Sequence, residues 1–293
     1  MSRFHCTSSV ASWTVVSTVR AVTTGLLLAV LPAGLVLTAP VQAAPLDLRL
    51  EGFSDPSTAS GTKITSKSYT TLMREVSTLM GQRMAGPAAS QGALGMDIAY
   101  EMSFVGLDAN AEYWKKAVAK PVSSATTSQI RVRKGLPHQV QIGGSVVHAH
   151  DSNLWAIGAE LNLSLLDGFR HIPDFALRAG GNTVVGTRGL TMVNAGGDVT
   201  ASKSFGIGGV LALQPWLGYS LGWTYVEEYK INVMLNPNTT ELRTQRLPQL
   251  FEIGHRAAFG FRVVAAHVQV GVELLRSFSE GMNVMTAKIG TAF

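Results

Sequence analysis

Two histidines and an aspartate stand together near the middle of the sequence and are its clearest candidates for chemistry. His148, His150 and Asp151 form the run His-Ala-His-Asp at the tip of an expected hairpin. Residues i and i+2 of a strand share one face, so both imidazoles could bind one metal ion. A histidine beside an aspartate is also a pairing that acid–base catalysis uses. Because no clear third ligand or nucleophile accompanies them, we predict no metal site, no cofactor and no catalytic residue.

Other signatures of chemistry are missing from the sequence. It contains no Gly-x-Gly-x-x-Gly, phosphate-binding loop, His-Glu-x-x-His or calcium-loop pattern. The single cysteine, Cys6, lies in the N-terminal leader and leaves no disulfide, cysteine-ligated metal or thiol nucleophile for the rest of the chain. Runs of basic residues never exceed two or three, which argues against nucleic-acid binding. We therefore expect a protein that is not an enzyme.

A larger set of candidate residues consists of charged side chains that alternate with apolar ones. Placed on the inner face of a narrow barrel, they would form a structural salt-bridge network or line a narrow charged pore. The near balance of acids and bases favours the network and leaves the pore open as an alternative. The set is Asp97, Glu101, Arg131, Arg133, Glu160, Arg178, Asp198, Glu252, Arg256, Arg262, His267, Glu273 and Lys288.

Strands must position these charges, because the period of the sequence is two from Gly92 onward. Apolar side chains recur at every second position and oppose polar or small ones, as in Trp155-Ala-Ile157-Gly-Ala159. Most segments reach the 9–11 residues of a tilted membrane-spanning strand. Ten strands are predicted, or twelve if a long loop hides a hairpin. They are 92–106, 128–134, 138–149, 153–166, 173–186, 189–204, 210–225, 251–261, 264–273 and 282–293, with a turn at Arg262-Val263.

Composition and loop lengths favour a membrane barrel over a soluble one. Only 15% of the residues are charged, against about 25% in ordinary soluble domains. The longest connections, 107–127 and 227–247, lie at one end of the strands, and short turns lie at the other, which is the outer-membrane arrangement. We predict an all-β chain that forms a transmembrane, antiparallel, up-and-down barrel and is a monomer in outer-membrane lipid.

Aromatic residues near the strand ends predict the two girdles that such barrels place at the membrane surfaces. One girdle is expected at the long-connection rim and one at the short-turn rim. His255 falls on the lipid-facing row near the middle of its strand, which suggests a bulge or a shifted register. The girdle residues are Phe104, Trp155, Trp223, Tyr225 and Phe251 at the first rim, and Phe261 and Phe293 at the second.

The first 91 residues differ from the rest. Residues 1–43 combine two arginines, an apolar stretch and Val41-Gln42-Ala43, as a secretory signal cleaved after Ala43 does. Residues 44–91 form a segment with one amphipathic helix, at 66–84, which we expect to cap or plug the periplasmic mouth of a barrel at 92–293. The cations Lys67, Arg74 and Arg83 would then reach acidic groups inside.

Two segments and the C-terminal strand carry a resemblance. The runs from Leu107 to Lys116 and from Arg131 to Pro137, with an alternating last strand that ends in Phe293, resemble Gram-negative (proteobacterial) outer-membrane β-barrel proteins of unassigned role. The resemblance implies outer-membrane location and recognition of the last strand by the barrel assembly machinery. The expected function is a structural or surface scaffold with a largely filled interior. A narrow channel or uptake protein for small or hydrophobic solutes, gated by the N-terminal segment, is the alternative, and an enzyme a distant third.

Overall fold

The structure is a computed structural model that describes residues 44–55, 60–64, 66–83, 86–169, 171–186, 190–236 and 239–293. Within 233–243 its description is limited to the backbone. The predicted signal at 1–43 lies outside the described residues. Among the described helices, each is too short or too polar to cross a membrane.

A closed antiparallel barrel of ten strands forms the body of the chain. Each strand pairs with the next along the wall, and the last pairs with the first, from Asp97 opposite Ala292 to Val105 opposite Val284. The wall strands are β1 (Met96–Gly106), β2 (Ser124–Gly135), β3 (Val140–Ala149), β4 (Trp155–Leu166), β5 (Asp174–Val185), β6 (Met192–Ser202), β8 (Leu211–Val226), β11 (Leu250–Ala265), β12 (Val268–Ser277) and β13 (Asn283–Ala292).

Three further strands lie outside this ring. The short β7 (Phe205–Ile207) adds to the start of β8. The connection between β8 and β11 holds the strands β9 (Tyr229–Asn236) and β10 (Thr239–Leu247), which pair only with each other in the sheet assignment. A long loop therefore does hide a hairpin, as the sequence allowed, but the hairpin stands above the wall and the barrel keeps ten strands.

Two predicted boundaries are wrong. The second wall strand begins at Ser124 rather than at 128, because the whole of β2 pairs with β1. The predicted turn at Arg262-Val263 is paired wall, since those residues lie opposite Gln214 and Leu213 of β8. The real turn is Ala266-His267.

That turn places the first of its two residues, Ala266, at a φ of 51°. Two-residue hairpins with a positive φ at their first position favour glycine, because a Cβ is strained there. We expect Ala266→Gly to raise the free energy of unfolding by about 0.5–1 kcal/mol, measured by urea unfolding in detergent. Ala265→Gly, one residue earlier in paired strand, is the control and should lower it.

The two faces of the wall differ as the alternation predicts. Bulky apolar side chains point outward and are strongly exposed, among them Ile130, Ile157 and Leu217 at 58, 62 and 62%. Soluble proteins rarely carry an apolar belt of this extent, whereas a hydrocarbon bilayer covers one. The inward positions are polar, small or charged, and most are buried.

The aromatic residues of the predicted girdles lie on the outer face. Phe104, Trp155 and Trp223 are each close to half exposed, and Phe251, Phe261 and Phe293 are exposed. His255 also points outward, without a bulge, opposite Leu221. Its ring stacks on Phe278 of the connection after β12, at a centroid distance of 5.2 Å. Because β12 pairs with β11 only from Arg256 onward, His255 lies at the rim and not in the middle of the wall.

The N-terminal segment passes through the barrel. Leu46 N–H donates to Asp151 O and Arg49 N–H to Ala117 O, so the segment begins at the mouth with the long connections. The helix α1 (Lys67–Met80) follows, with Ser66 as its N-cap. Residues 86–91 then reach the opposite mouth, where Ser90 N–H donates to Asp167. The prediction that the segment caps the periplasmic, short-turn mouth is therefore corrected: it fills the interior and covers the other mouth.

An apolar core closes the long-connection mouth. Leu50, Phe53 and Tyr69 of the N-terminal segment are fully or almost fully buried, together with Trp114 of α2 (Glu112–Ala117) and Ile231 of β9. Residues 61–64 also extend the hairpin, since Gly61 and Ile64 donate backbone hydrogen bonds to β10. We call this assembly of residues 44–55 and 60–64, α2 and the strands β9 and β10 the crown.

Candidate functional site: the filled interior of the barrel

The top of α1 is anchored to the crown through one buried carboxylate. Glu75 accepts hydrogen bonds from the Tyr113 hydroxyl and from the Trp114 indole, both at 2.6 Å. Both donors come from α2, so a single glutamate fixes the first long connection to the helix. The sequence analysis did not single out Glu75, because a lone carboxylate on an amphipathic helix carries no signal of a buried partner.

This anchor makes the crown sensitive to alkali. Burial, and then the hydrogen bond to Glu75, raises the pKa of Tyr113, and burial raises the pKa of Tyr69. A raised folded-state pKa contributes stability that is present below the ordinary value of about 10 and is lost as pH rises above it. We expect the melting temperature to fall between pH 10 and 11. Tyr113→Phe should flatten that fall, and Tyr225→Phe in the outer girdle should not.

Neutral polar contacts hold the lower part of α1 to the wall. The Ser77 hydroxyl contacts Asn194 Oδ1 at 2.9 Å and the Thr224 hydroxyl. Asn182 donates to the carbonyl of Met80, the last residue of the helix, at 2.7 Å. These wall groups come from β5, β6 and β8. The end of the helix is thereby tied to one side of the barrel.

Below α1, the structure brings the central charges into one network. Glu160 contacts Arg133 at 2.5 Å and Arg131 at 3.7 Å, and it accepts from Gln82 at 3.0 Å. Arg131 also contacts Glu101 at 3.2 Å. All four charged side chains are at least nine-tenths buried. Such a dense set is tolerated because each charge has a partner of opposite sign.

Weaker contacts extend the network toward the short-turn mouth. Lys288 lies 3.6 Å from Glu101 and 3.8 Å from Asp97, and Arg178 lies 3.9 Å from Asp198. We call α1 and the residues that follow it, 81–83 and 86–91, the plug. The plug supplies hydrogen-bond acceptors here as well: Arg178 donates to the carbonyls of Gly86 and Pro87, and Arg131 donates to that of Arg83. The strand pattern placed these charges on one face but could not show that the main-chain carbonyls of Arg83, Gly86 and Pro87 also contact them.

Five residues of the predicted set lie apart from this network: Glu252, Arg256, Arg262, His267 and Glu273. Glu252 pairs with Arg74 of α1 nearer the crown, where both side chains are partly exposed. Arg262 contacts the amides of Gln214 and Gln269, at 2.7 and 3.1 Å, rather than a carboxylate. Glu273 faces the interior with one carboxylate oxygen buried and unpartnered among the described residues.

His267 is the member of the set that the structure places elsewhere. It is exposed in the turn after β11, and its ring stacks on Phe293 at 6.0 Å. The wrong position of the predicted turn caused the error, since a shift of the strand end changes which residues face inward.

Trp216 is an interior residue that the sequence analysis missed. It is 7% exposed, and its indole lies over Gly260, where an added Cβ would approach it to 2.9 Å. The large ring is accommodated because its neighbour across β11 has no side chain. The pairing of a tryptophan with a glycine becomes visible only once the register is known.

Little empty space remains inside. Two cavities, of about 40 and 30 Å³, lie beside the plug within the described part of the chain. Volumes of this size hold about one to three water molecules. Both are lined by Trp216, and the first also by Gly81 and Arg256. The described parts of the segment, residues 66–83 and 86–91, therefore leave room for a few water molecules at these two places.

The histidine–aspartate run does not assemble a site. The rings of His148 and His150 are 5.6 Å apart, but His148 packs on Trp155 at 4.2 Å. His150 instead contacts the Ser128 hydroxyl at 2.6 Å, on the outer face of the barrel. No group of three or more His, Cys, Asp or Glu side chains suited to a metal occurs among the residues described.

Comparisons with known proteins give only distant matches. No protein-family model and no curated protein matches the chain. Among solved structures, Ail of Yersinia pestis shares 12% identity over 68% of this chain and 97% of its own, with a TM-score of 0.25. The β domain of the Bordetella autotransporter BrkA shares 9% identity over 69% of this chain and 100% of its own, with a TM-score of 0.35. The outer-membrane protein Omp33 of Acinetobacter baumannii shares 8% identity over 68% of this chain and 98% of its own, with a TM-score of 0.27. The fold assignment accordingly rests on the chain's own strand pairing.

Proposed function

We propose that this chain is an outer-membrane barrel protein that serves as a surface scaffold, with an interior closed by its own N-terminal segment. The observation that carries the proposal is the continuous plug. Residues 66–83 and 86–91 contact the wall by hydrogen bonds and ion pairs from the crown to the short-turn mouth, and the two cavities described beside them are small. A barrel filled in this way presents a rigid outer platform rather than an open passage.

The apolar belt and the connection lengths support the location and the orientation. In bacterial outer-membrane barrels the short turns face the periplasm and the long connections face outward. The crown would then stand at the cell surface. It brings together three separate parts of the chain over one apolar core, as a surface module needs in order to hold its shape.

The partners of the protein can be proposed from its apolar belt and its last strand. The exposed belt has membrane lipid as its partner, and the last strand, ending at Phe293 with 67% of its surface exposed, is the one offered to the barrel assembly machinery.

We further propose that the protein is a monomer and not an enzyme. The Ser128–His150 contact serves the outer rim as a hydrogen bond, so Ser128→Ala should leave any esterase background of the purified protein unchanged.

A narrow channel gated by the N-terminal segment is the second candidate, and one observation favours it. Gly180, Gly196, Gly222 and Gly254 lie directly opposite one another on four adjacent wall strands. Three of them, Gly180, Gly196 and Gly222, line the cavity beside Gly81 and Gln82, so at this level the wall has no side chains to interlock with the residues that follow α1. A plug that slides past such a wall would meet little steric resistance.

One experiment separates the two candidates. Because the only cysteine is Cys6 in the leader, a disulfide between Ser77→Cys and Thr224→Cys can tie α1 to β8 in an otherwise cysteine-free mature chain. A scaffold is silent in planar bilayers in both the oxidised and the reduced state. A gated channel is silent when oxidised and shows discrete openings after reduction. The matched control is the single Ser77→Cys variant, which should not respond to reductant.

A further inference from the structure

Arg256 occupies an unusual position among the interior arginines. It lies on β11, opposite Ser220, with its guanidinium between a glycine of the plug and a glycine of the wall. A Cβ added to Gly81 would lie 3.2 Å from its Nη1, and one added to Gly222 would lie 3.8 Å from its Nη2. Glycine on both sides leaves the edges of the guanidinium uncovered.

The Arg256 guanidinium makes no hydrogen bond and no ion pair with any described residue, and its Nε is buried without a partner. By contrast, Arg74, Arg131, Arg133 and Arg178 each contact a carboxylate. The acid that acts on Arg256 from a distance is Glu280, whose own contacts are the Thr78 and Ser277 hydroxyls. Arg256 is half-buried, so an ion or water can reach its guanidinium and supply the hydrogen-bond partner that the buried Nε lacks.

The space beside Arg256 is the larger of the two cavities, with a volume of about 40 Å³. Ser220 and Gly222 of β8 line it, and so does Asp198, which lies opposite Ser220 on the adjacent strand β6. The Asp198 carboxylate is already engaged by Thr200 at 3.0 Å and by Arg178 at 3.9 Å. The unsatisfied charge at this cavity is therefore positive, and the volume suits one monatomic ion with one or two waters.

We propose that this cavity is a binding site for a small monovalent anion, chloride in size, held by the guanidinium of Arg256. The anion supplies the counter-charge that the protein does not. It enters from the short-turn mouth, since Trp216 lines both this cavity and the one that opens beside Glu273 and Lys288. The bound anion fixes the lower end of α1 to β8 and β11, because Gly81 lies against the same guanidinium.

Thermal unfolding of the full mature chain in detergent tests the site. At constant ionic strength, replacing the bulky anion isethionate by chloride should raise the melting temperature, and the rise should grow with chloride concentration, as for any ligand that binds only the folded state. Arg256→Gln should abolish this dependence. Arg262→Gln is the matched control, because Arg262 lies on the same strand and face but has two amide partners; it should keep the dependence.

A second measurement decides the matter if Arg256→Gln fails to fold. Crystals of the unmodified protein grown in bromide should show an anomalous difference peak within hydrogen-bonding distance of the Arg256 guanidinium. The proposal is overturned by the absence of that peak, by equal melting temperatures in chloride and isethionate, or by a folded Arg256→Gln variant that retains the chloride dependence. None of these outcomes depends on whether the barrel conducts.

Discussion

Deletion of residues 44–91 is expected to turn a silent barrel into one that conducts ions in discrete steps. The segment fills the interior: α1 lies under the crown, and residues 81–91 run on to the short-turn mouth. An α-helix with its side chains occupies a cylinder about 10–12 Å across. Its removal leaves a water-filled passage of that order, lined by the charges of the central network. Single-channel recording in planar bilayers measures the change.

A shorter deletion is the control for this prediction. Removal of residues 44–64 alone takes away part of the crown but leaves α1 and the contacts of Ser77 and Gln82 with the wall, so the barrel should stay silent. Heat-modifiable migration in gels would show that both variants are folded. Silence of the folded 44–91 deletion would mean that the crown hairpin, and not the segment in the interior, closes the barrel.

The second large effect is expected from Glu160→Gln. Glu160 is the acid shared by Arg131 and Arg133, and its side chain is only 6% exposed. Neutralising it leaves two buried guanidinium groups competing for Glu101, and removing one partner of a buried pair costs about 3–5 kcal/mol. We expect a loss of about 3 kcal/mol in the free energy of unfolding, measured by urea titration in lipid vesicles.

Two further variants show whether the charge itself is responsible. Glu252→Gln breaks the partly exposed pair with Arg74 and should cost about 1 kcal/mol or less. The double variant Glu160→Gln with Arg133→Gln removes one of the two cations that share Glu160 and should recover part of the loss. If the double variant is less stable than Glu160→Gln alone, packing at Arg133 outweighs its charge.

The predicted strands show how far sequence reasoning reaches for this fold. Alternation placed Asp97, Glu101, Arg131, Arg133 and Glu160 on one face correctly, because side chains on a strand alternate sides regardless of what surrounds them. The same rule failed at His267. Its position depended on where β11 ends, and only the pairing of Arg262 and Val263 with β8 shows that the strand continues through the predicted turn.

The interior shows what local pattern cannot reach. Glu75, Trp216 and Arg256 differ in their surroundings because of residues more than thirty positions away in the chain. Glu75 accepts from two donors of α2, Trp216 packs on Gly260, and the Arg256 guanidinium lies between Gly81 and Gly222. The register of the wall strands and the position of the plug decide which interior charges are paired. Neither of them can be seen as a periodic pattern in the sequence.

Periodic patterns of apolar and polar residues were enough to predict a ten-stranded barrel with an apolar outer face, a charged inner face and an amphipathic helix before it, because such patterns depend on residues that are close together in the chain. The course of the N-terminal segment through the interior, from the long-connection mouth to the short-turn mouth, could not be predicted in this way, because the helix is amphipathic on either course. The direction of the segment follows from hydrogen bonds to Asp151, Ala117 and Asp167, and contacts so distant in sequence form only when the barrel closes around it.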